Sequence, residues 1–362
     1  MKVQKYVKMK TERQILKDTT GRLRHLLDQV PFVQPKRWKE HARKKANDAL
    51  DLTVDLVARG KAWRLLVEAK ASGEPRIVRG GVQQIRQAQR AQGRKRTYGV
   101  LATSYIGPDS QKICKEAEIG FIDLAGNCRL VFDQVFIERL GAPNPAIERR
   151  PLRSIFTPKG GRILRALLEA PQKPWKVQDL AREARVSLGL TAKVKQRLLD
   201  LEFARDEKDG LLLLRAEDLI RQWGGAYSFR KNNVLDCYGA GDVSKLERQL
   251  SDYCRRFNVR YGLALFSGAA RVAPFTRYVR GFAYVQKDLA AVAKDLGWKP
   301  VPSGANFTLI NPFDEGLWYG TRETNGEAIV SDVQLYLDLV DYEGRGEEAA
   351  NTILEQNLRP LW

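Results

Sequence analysis

The stretch ALDLTVDLVARGKAWRLLVEAKAS, residues 49–72, decides how the amino-terminal third of the chain folds. Its Leu- and Val-rich halves read as two strands joined by a turn containing Gly60. Glu68 and Lys70 lie two positions apart in the second strand, so alternation puts both side chains on one face. Working outward, GGVQQIRQAQRAQG (80–93) is a polar, Gln-rich helix bounded by glycines, and TYGVLATSYIG (97–107) is a strand. Next come a short helix beginning at Pro108 and a strand out of FIDLAGNCRLVF (121–132). Strands alternating with helices imply a mixed sheet with crossover connections. Upstream, residues 1–47 are basic and read as helical, with Ile15, Leu16, Leu23, Leu26 and Leu27 at helical spacing.

The whole chain has 362 residues, which predicts two or three domains, and 43% hydrophobic residues, enough for real cores. No apolar run approaches the roughly 18 residues of a membrane span. The amino terminus lacks the apolar core of a signal peptide, so a cytoplasmic protein is expected. Four scattered cysteines form no CxxC pair, against a zinc ribbon or disulfide scaffold. Two histidines leave little material for histidine-based catalysis.

Charge is the most informative quantity. The net +19 is uneven: residues 301–362 hold three basic and eleven acidic side chains, and the first 300 hold 59 basic against 32 acidic. A basic body calls for a polyanion, with double-stranded DNA ahead of a membrane surface, because no basic amphipathic helix with an aromatic face stands out. The acidic end suits a basic protein partner or self-contact.

Residues 142–151, APNPAIERRP, read as a linker. Beyond it the periodicity predicts helices near 158–169, 177–184 and 189–201, then a hairpin with Lys208, Asp209 and Gly210 at its tip. Three short helices and a hairpin make the winged helix-turn-helix pattern. Its third helix buries Leu190, Val194, Leu198 and Leu199 and leaves Ser187, Thr191, Lys193, Lys195, Gln196 and Arg197 on the side that reaches base edges and phosphates. Arg205 and Lys208 on the wing are backbone or minor-groove contacts. Residues 225–362 form a further unit with strands around 261–266, 280–285 and 307–310, and a helix with capping-box spacing at Ser331 and Gln334. YGAGD (238–242), lacking a strong preceding strand, is read as a turn and not as a phosphate cradle.

Magnesium-dependent phosphodiester cleavage needs one or two carboxylates on the metal and a cation beside it. Asp55 and Glu68 are the candidate metal ligands and Lys70 the charge stabiliser, with Gln83 or Gln84 adding a polar contact, provided the hairpin is staggered enough to bring Asp55 level with Glu68. In these D…ExK residues and in element order, residues 45–140 resemble the PD-(D/E)XK restriction-endonuclease-like superfamily. Glu40 and Asp48 are candidates for its upstream acid. Two readings stay open: an active nuclease, or a cross-strand ion pair on a fold used for binding.

EIGFIDLAGNCRLVF (118–132) and VSDVQLYLDLVDYEGRGEEAANTILEQ (330–356) resemble AbiEi-type antitoxins of type IV toxin–antitoxin systems. Asp123, Gly126 and Asn127 carry the first likeness, and Gln334, Tyr336, Asp338, Gly344, Arg345, Gly346 and Glu347 the second. The resemblance implies a DNA-binding transcriptional regulator that counters a nucleotidyltransferase-like toxin. The expected architecture is α/β plus α+β. It comprises a basic helical segment (1–47), an endonuclease-like mixed sheet (48–145), a winged helix-turn-helix (152–222) and a C-terminal α+β domain (225–362). A regulator needs no cofactor, and a nuclease needs magnesium. The acidic carboxy-terminal domain is where a toxin or a second copy would bind.

Overall fold

A computed structural model describes residues 11–41, 50–93, 96–143, 155–273 and 278–362. Asp48 and most of the proline-rich 142–151 stretch lie outside the described residues. The chain divides into two compact units, Met1–Arg153 and Ser154–Trp362.

The first unit runs α1 (Glu12–Asp28), β1 (Val33–Glu40), β2 (Leu52–Ala58), β3 (Lys61–Lys70), α2 (Pro75–Ala91), β4 (Thr97–Thr103), α3 (Pro108–Glu116), β5 (Gly120–Asp123), β6 (Cys128–Phe132) and β7 (Val135–Arg139). Its seven strands form one sheet in sequence order. Only β3–β4 and β4–β5 are parallel, and α2 and α3 are their crossovers. A capping box between Thr11 and Gln14 starts α1. Its Ile15, Leu23 and Leu27 bury against Leu52, Val54, Leu65 and Val67 on one face of the sheet. Val78, Val82 and Ile85 of α2 pack with Leu101 and Phe121 on the other face. Each such aliphatic side chain contributes about 2 kcal/mol on burial. Being covered on both sides explains why β3 and β4 read as continuous apolar runs. Residues 33–40, expected to be helical, form edge strand β1 instead. Pro35 is tolerated there because its register slips between Pro35 and Arg37 and one side of the strand has no partner.

The second unit opens with α4 (Pro158–Glu169), α5 (Val177–Glu183) and α6 (Leu188–Asp200), then the hairpin β8 (Ala204–Glu207) and β9 (Gly210–Leu213), within a residue of the periodicity's prediction. There follow α7 (Ala216–Gly224), β10 (Asn233–Tyr238), α8 (Val243–Arg256), β11 (Tyr261–Leu263), α9 (Leu265–Val272), β12 (Gly281–Val285), α10 (Leu289–Asp295) and β13 (Lys299–Pro300). The chain ends with β14 (Phe307–Asn311), β15 (Arg322–Thr324), β16 (Glu327–Ile329), α11 (Asp332–Val340) and α12 (Gly346–Ile353). Seven of these strands make a second mixed sheet, ordered β13-β10-β14-β12-β11-β16-β15. On one face α8 and α10 bury Leu246, Leu250 and Val292. On the other, a single apolar core runs from Ile155 to Leu358 and joins α4–α6, the hairpin, α7, α9, α11 and α12. YGAGD does follow a strand, β10, which its Asn- and Asp-rich sequence concealed. Asp242 there caps α8 by accepting the Lys245 N–H at 2.7 Å.

Candidate functional site

In the hairpin of β2 and β3, Arg59 and Gly60 take positive φ of 46° and 77°, a two-residue turn that leaves no room for stagger. Register is therefore fixed from the turn outward: Ala58 faces Lys61, Asp55 faces Arg64 and Leu52 faces Val67. Asp55 is consequently not beside Glu68. Both its carboxylate oxygens accept from Arg64, at 2.6 and 3.2 Å, and hold the guanidinium pKa above its usual value. The acid level with Glu68 is Asp51, whose N–H donates to Val67 O and whose Oδ2 accepts the Ala69 N–H at 2.8 Å.

Glu68 is 1% exposed, and Lys70 donates to Glu68 Oε1 at 2.7 Å and to Gln84 Oε1 at 2.5 Å. Gln84 reaches this far because α2 lies close on the sheet. A Cβ on Gly81 would come within 2.5 Å of Leu101 and 3.4 Å of the Lys70 side chain. Glu68, Lys70 and Gln84 thus meet, with Asp51 level with Glu68 on the neighbouring strand and its carboxylate on the Ala69 N–H, whereas Asp55 pairs with Arg64 and Gln83 is exposed. Glu40 is exposed on the edge strand. Among the described residues no group of three or more His, Cys, Asp or Glu is arranged to hold a metal ion.

Asp123 is fully buried and holds a loop together. Its Oδ1 accepts from Gly126 N and Asn127 N, both at 2.8 Å, and its Oδ2 accepts from Ile106 N at 3.0 Å and Asn127 Nδ2 at 2.8 Å. Gly126, with φ of 119°, turns the chain there.

On α6 the structure divides the expected DNA-facing residues. Lys193 is exposed and Arg197 half-exposed. Thr191 is buried, and its hydroxyl donates back to Ser187 O at 3.1 Å, four residues earlier, so it faces the core and not solvent. Ser187 is the N-cap and accepts the Leu190 N–H. Lys195 pairs with Asp206 of β8 at 2.8 Å, Gln196 donates to Asp200 at 2.8 Å, and Arg205 pairs with Glu207 two residues on in the same strand. Lys208 is exposed at the tip of the β8–β9 hairpin.

A buried polar centre joins α4 to α11. Asp338 Oδ1 accepts from the Tyr227 and Tyr284 hydroxyls, both at 2.9 Å, and from Gln334 Nε2 at 2.7 Å. Gln334 Oε1 in turn accepts from Arg165, whose guanidinium lies 4.8 Å over the Trp223 ring. Burial lowers the Arg165 pKa. It also pushes the Asp338 carboxyl up to about 7, against the pull of the Tyr227, Tyr284 and Gln334 hydrogen bonds and of Arg165. This centre is the tail segment's QLYLD stretch seen in three dimensions.

Residues 212–359 match the family described as "Transcriptional regulator, AbiEi antitoxin, Type IV TA system". Neither the curated proteins nor the solved structures gave a match. The AbiEi-matched stretch contains every member of the buried centre except Arg165, which reaches in from α4. Tyr336 is buried against Gly224 of α7, and Arg345 pairs with Glu348 at 3.0 Å. Sequence reasoning missed the centre because Arg165 and Tyr227 lie 169 and 107 residues from Gln334. An Arg inside the apolar face of RILRALLE was the available signal.

Two carboxyls of the second unit, Asp338 in the matched stretch and Glu169 upstream of it, predict a pH profile. Glu169, half-buried at the end of α4, is likewise pushed up to about 7 by burial, although the Ser331 hydrogen bond pulls it down. Both carboxyls keep protons in the fold that the unfolded chain releases near its ordinary value of about 4. Stability therefore falls as pH rises from about 4 to about 7 and levels off above. The urea midpoint should be higher at pH 5 than at pH 8, and Asp338→Asn with Glu169→Gln should flatten the difference. A double variant with the full pH dependence would assign it to other groups.

Proposed function

We propose that the protein is a DNA-binding transcriptional regulator of the AbiEi antitoxin kind. The observation carrying this reading is the match over residues 212–359, on a fold whose α4–α6 and β8–β9 share one core with the matched stretch. We read that helical trio and hairpin as a winged helix-turn-helix, with α6 entering the major groove and the wing beside it. Lys193 and Arg197 are the base or phosphate contacts, with Ser187 near the groove at the helix start. Lys208 and Arg205 contact the backbone from the wing. Lys195 and Gln196 are held by Asp206 and Asp200 and must leave those partners to contact DNA. The acidic residues of 301–362 are the surface for a basic toxin of the nucleotidyltransferase type or for a second copy.

A second reading, a metal-dependent DNA endonuclease of the PD-(D/E)XK type, starts from the Glu68–Lys70–Gln84 contact and from Asp51 standing level with Glu68. The donor set fits magnesium, which takes carboxylate oxygens and retains water. Asp51 and Glu68 would hold the ion, which would supply Lewis-acid stabilisation of the phosphate. Lys70, fixed by Gln84, would place its ammonium beside the scissile group. Asp55, tied to Arg64, has no part in it.

One experiment separates the readings. Wild type, Lys193→Ala with Arg197→Ala, and Lys70→Ala are incubated with operator-region and random duplexes, with and without magnesium or manganese. The regulator reading expects the double variant to lose about 100-fold in operator affinity, near 1–3 kcal/mol per contact, with no cutting by any protein. Metal-dependent cutting abolished by Lys70→Ala would replace it with the nuclease. Equal affinity in wild type and the α6 variant would remove α6 as the reader.

A further inference from the structure

The seventeen-residue helix α2 carries Arg76, Arg79, Arg86 and Arg90 and no acidic residue. At 100° per residue, Arg79, Gln83, Arg86 and Arg90 fall within about 60° of one another and form a single stripe. All four are exposed. Gln84 lies about 100° away on the flank facing Lys70, so the stripe and the Asp51–Glu68–Lys70 cluster occupy different faces of the helix. Beside the stripe, α2 and α3 enclose an open trough of about 720 Å³, lined by Arg79, Gln83, Arg86, Gln87, Arg90 and Glu116 among others. Glu116 is the sole acid in the lining, and it lies 3.9 Å from Lys112.

We propose that this trough is a second nucleic-acid surface, which grips the sugar–phosphate backbone of duplex DNA without reading its sequence. An open basic channel suits an extended polyanion better than an enclosed small molecule. From Arg79 to Arg90 the helix rises about 16 Å, the axial length of about five base pairs. Guanidinium groups bind phosphate oxygens bidentately, and the amides of Gln83 and Gln87 add hydrogen bonds of the kind that position a protein on the backbone. The base edges are left to α6. The inference rests on the DNA-binding reading but adds a surface that neither α6 nor the AbiEi-matched stretch supplies.

The test uses the full chain and a random-sequence 40-base-pair duplex, with binding followed by fluorescence anisotropy from about 50 to 300 mM salt. Releasing counterions at three phosphates contributes about 2.7 to the slope of log affinity against log salt. The triple variant Arg79→Gln, Arg86→Gln, Arg90→Gln is expected to lose about that much slope and on the order of 100-fold in affinity near 0.1 M salt. The triple Lys variant, which keeps the charge, is expected to restore most of the slope. Preference for the operator over random duplex should survive in both. An unchanged slope in the Gln variant, with the wild type binding duplex, would overturn the trough and leave the regulator reading standing. No duplex binding by the wild type would overturn both. A Gln variant that changes the self-association of the protein in light scattering while keeping its salt slope would give the trough to the acidic segment of a second copy, which also overturns the proposal.

Discussion

Asp123→Ala is expected to remove a large share of the stability of the first unit. The carboxylate is fully buried and accepts four hydrogen bonds, from Ile106 N, Gly126 N, Asn127 N and Asn127 Nδ2. Alanine supplies no acceptor, and each donor left without a partner costs about 1–3 kcal/mol where water cannot reach it. Gly126 is exposed and recovers a water. Ile106 and Asn127 are buried, which puts the loss on the order of 4 kcal/mol, against a typical domain stability of about 5–15 kcal/mol. Asn127 also loses its anchor for the Ala142 N–H, which donates to its Oδ1 at 2.9 Å. Hydrogen exchange should show peptides of β4–β7 losing protection while those of β10–β14 keep theirs. A loss under about 1 kcal/mol would mean that the backbone of β5 and β6 holds the loop without the carboxylate.

Arg165→Ala is the second substitution of large effect. Arg165 is buried, donates to Gly161 O at 3.4 Å and to Gln334, and lies over Trp223. Truncation opens a cavity beneath the indole, strips Gln334 Oε1 of its donor and takes away the cation nearest Asp338. Breaking a buried polar network from one side costs about 3–5 kcal/mol. Arg165→Met fills the volume and cancels the buried charge, so its loss should be clearly smaller, because packing is restored and only the Gln334 acceptor is orphaned. Urea denaturation of the three proteins checks the order. Equal losses in the Ala and Met variants would place the energy in the hydrogen bonds alone, and no loss in either would show the centre to be dispensable for stability.

How far such sites could be read in advance depended on whether their determinants were local. The helices α4, α5 and α6 and the hairpin tip were legible, because periodicity, an N-cap and a tight turn are written within a few residues. The expectation that Asp55 lies beside Glu68 missed by the register of the hairpin. Once the turn is taken as two residues at Arg59 and Gly60, counting outward pairs Asp55 with Arg64 and carries Asp51 to the level of Glu68. Strand β1 was hidden by Pro35 and four basic or acidic residues, since an edge strand has only one apolar face to show. Thr191 looked like a groove contact by type, but helical geometry puts its hydroxyl within reach of Ser187 O and its methyl in the core. The trough on α2 was visible as a run of arginines and glutamines, but its depth comes from α3, which no local pattern places there. Longest in range, and least legible, was the centre around Asp338.

The continuous core of the second unit bears on how such a protein is inherited. The AbiEi match begins at residue 212, inside β9, whose partner β8 lies upstream, and the side chains of α4–α6 share the packing of α11 and α12. The border of kinship therefore cuts through a folded body. A gene fragment started there would lose one strand of a hairpin and bare the apolar undersides of α7 and α11. Recombination cannot exchange α4–α6 at that border without rebuilding the packing beneath them, so drift in those helices and drift in α11 and α12 are tied together.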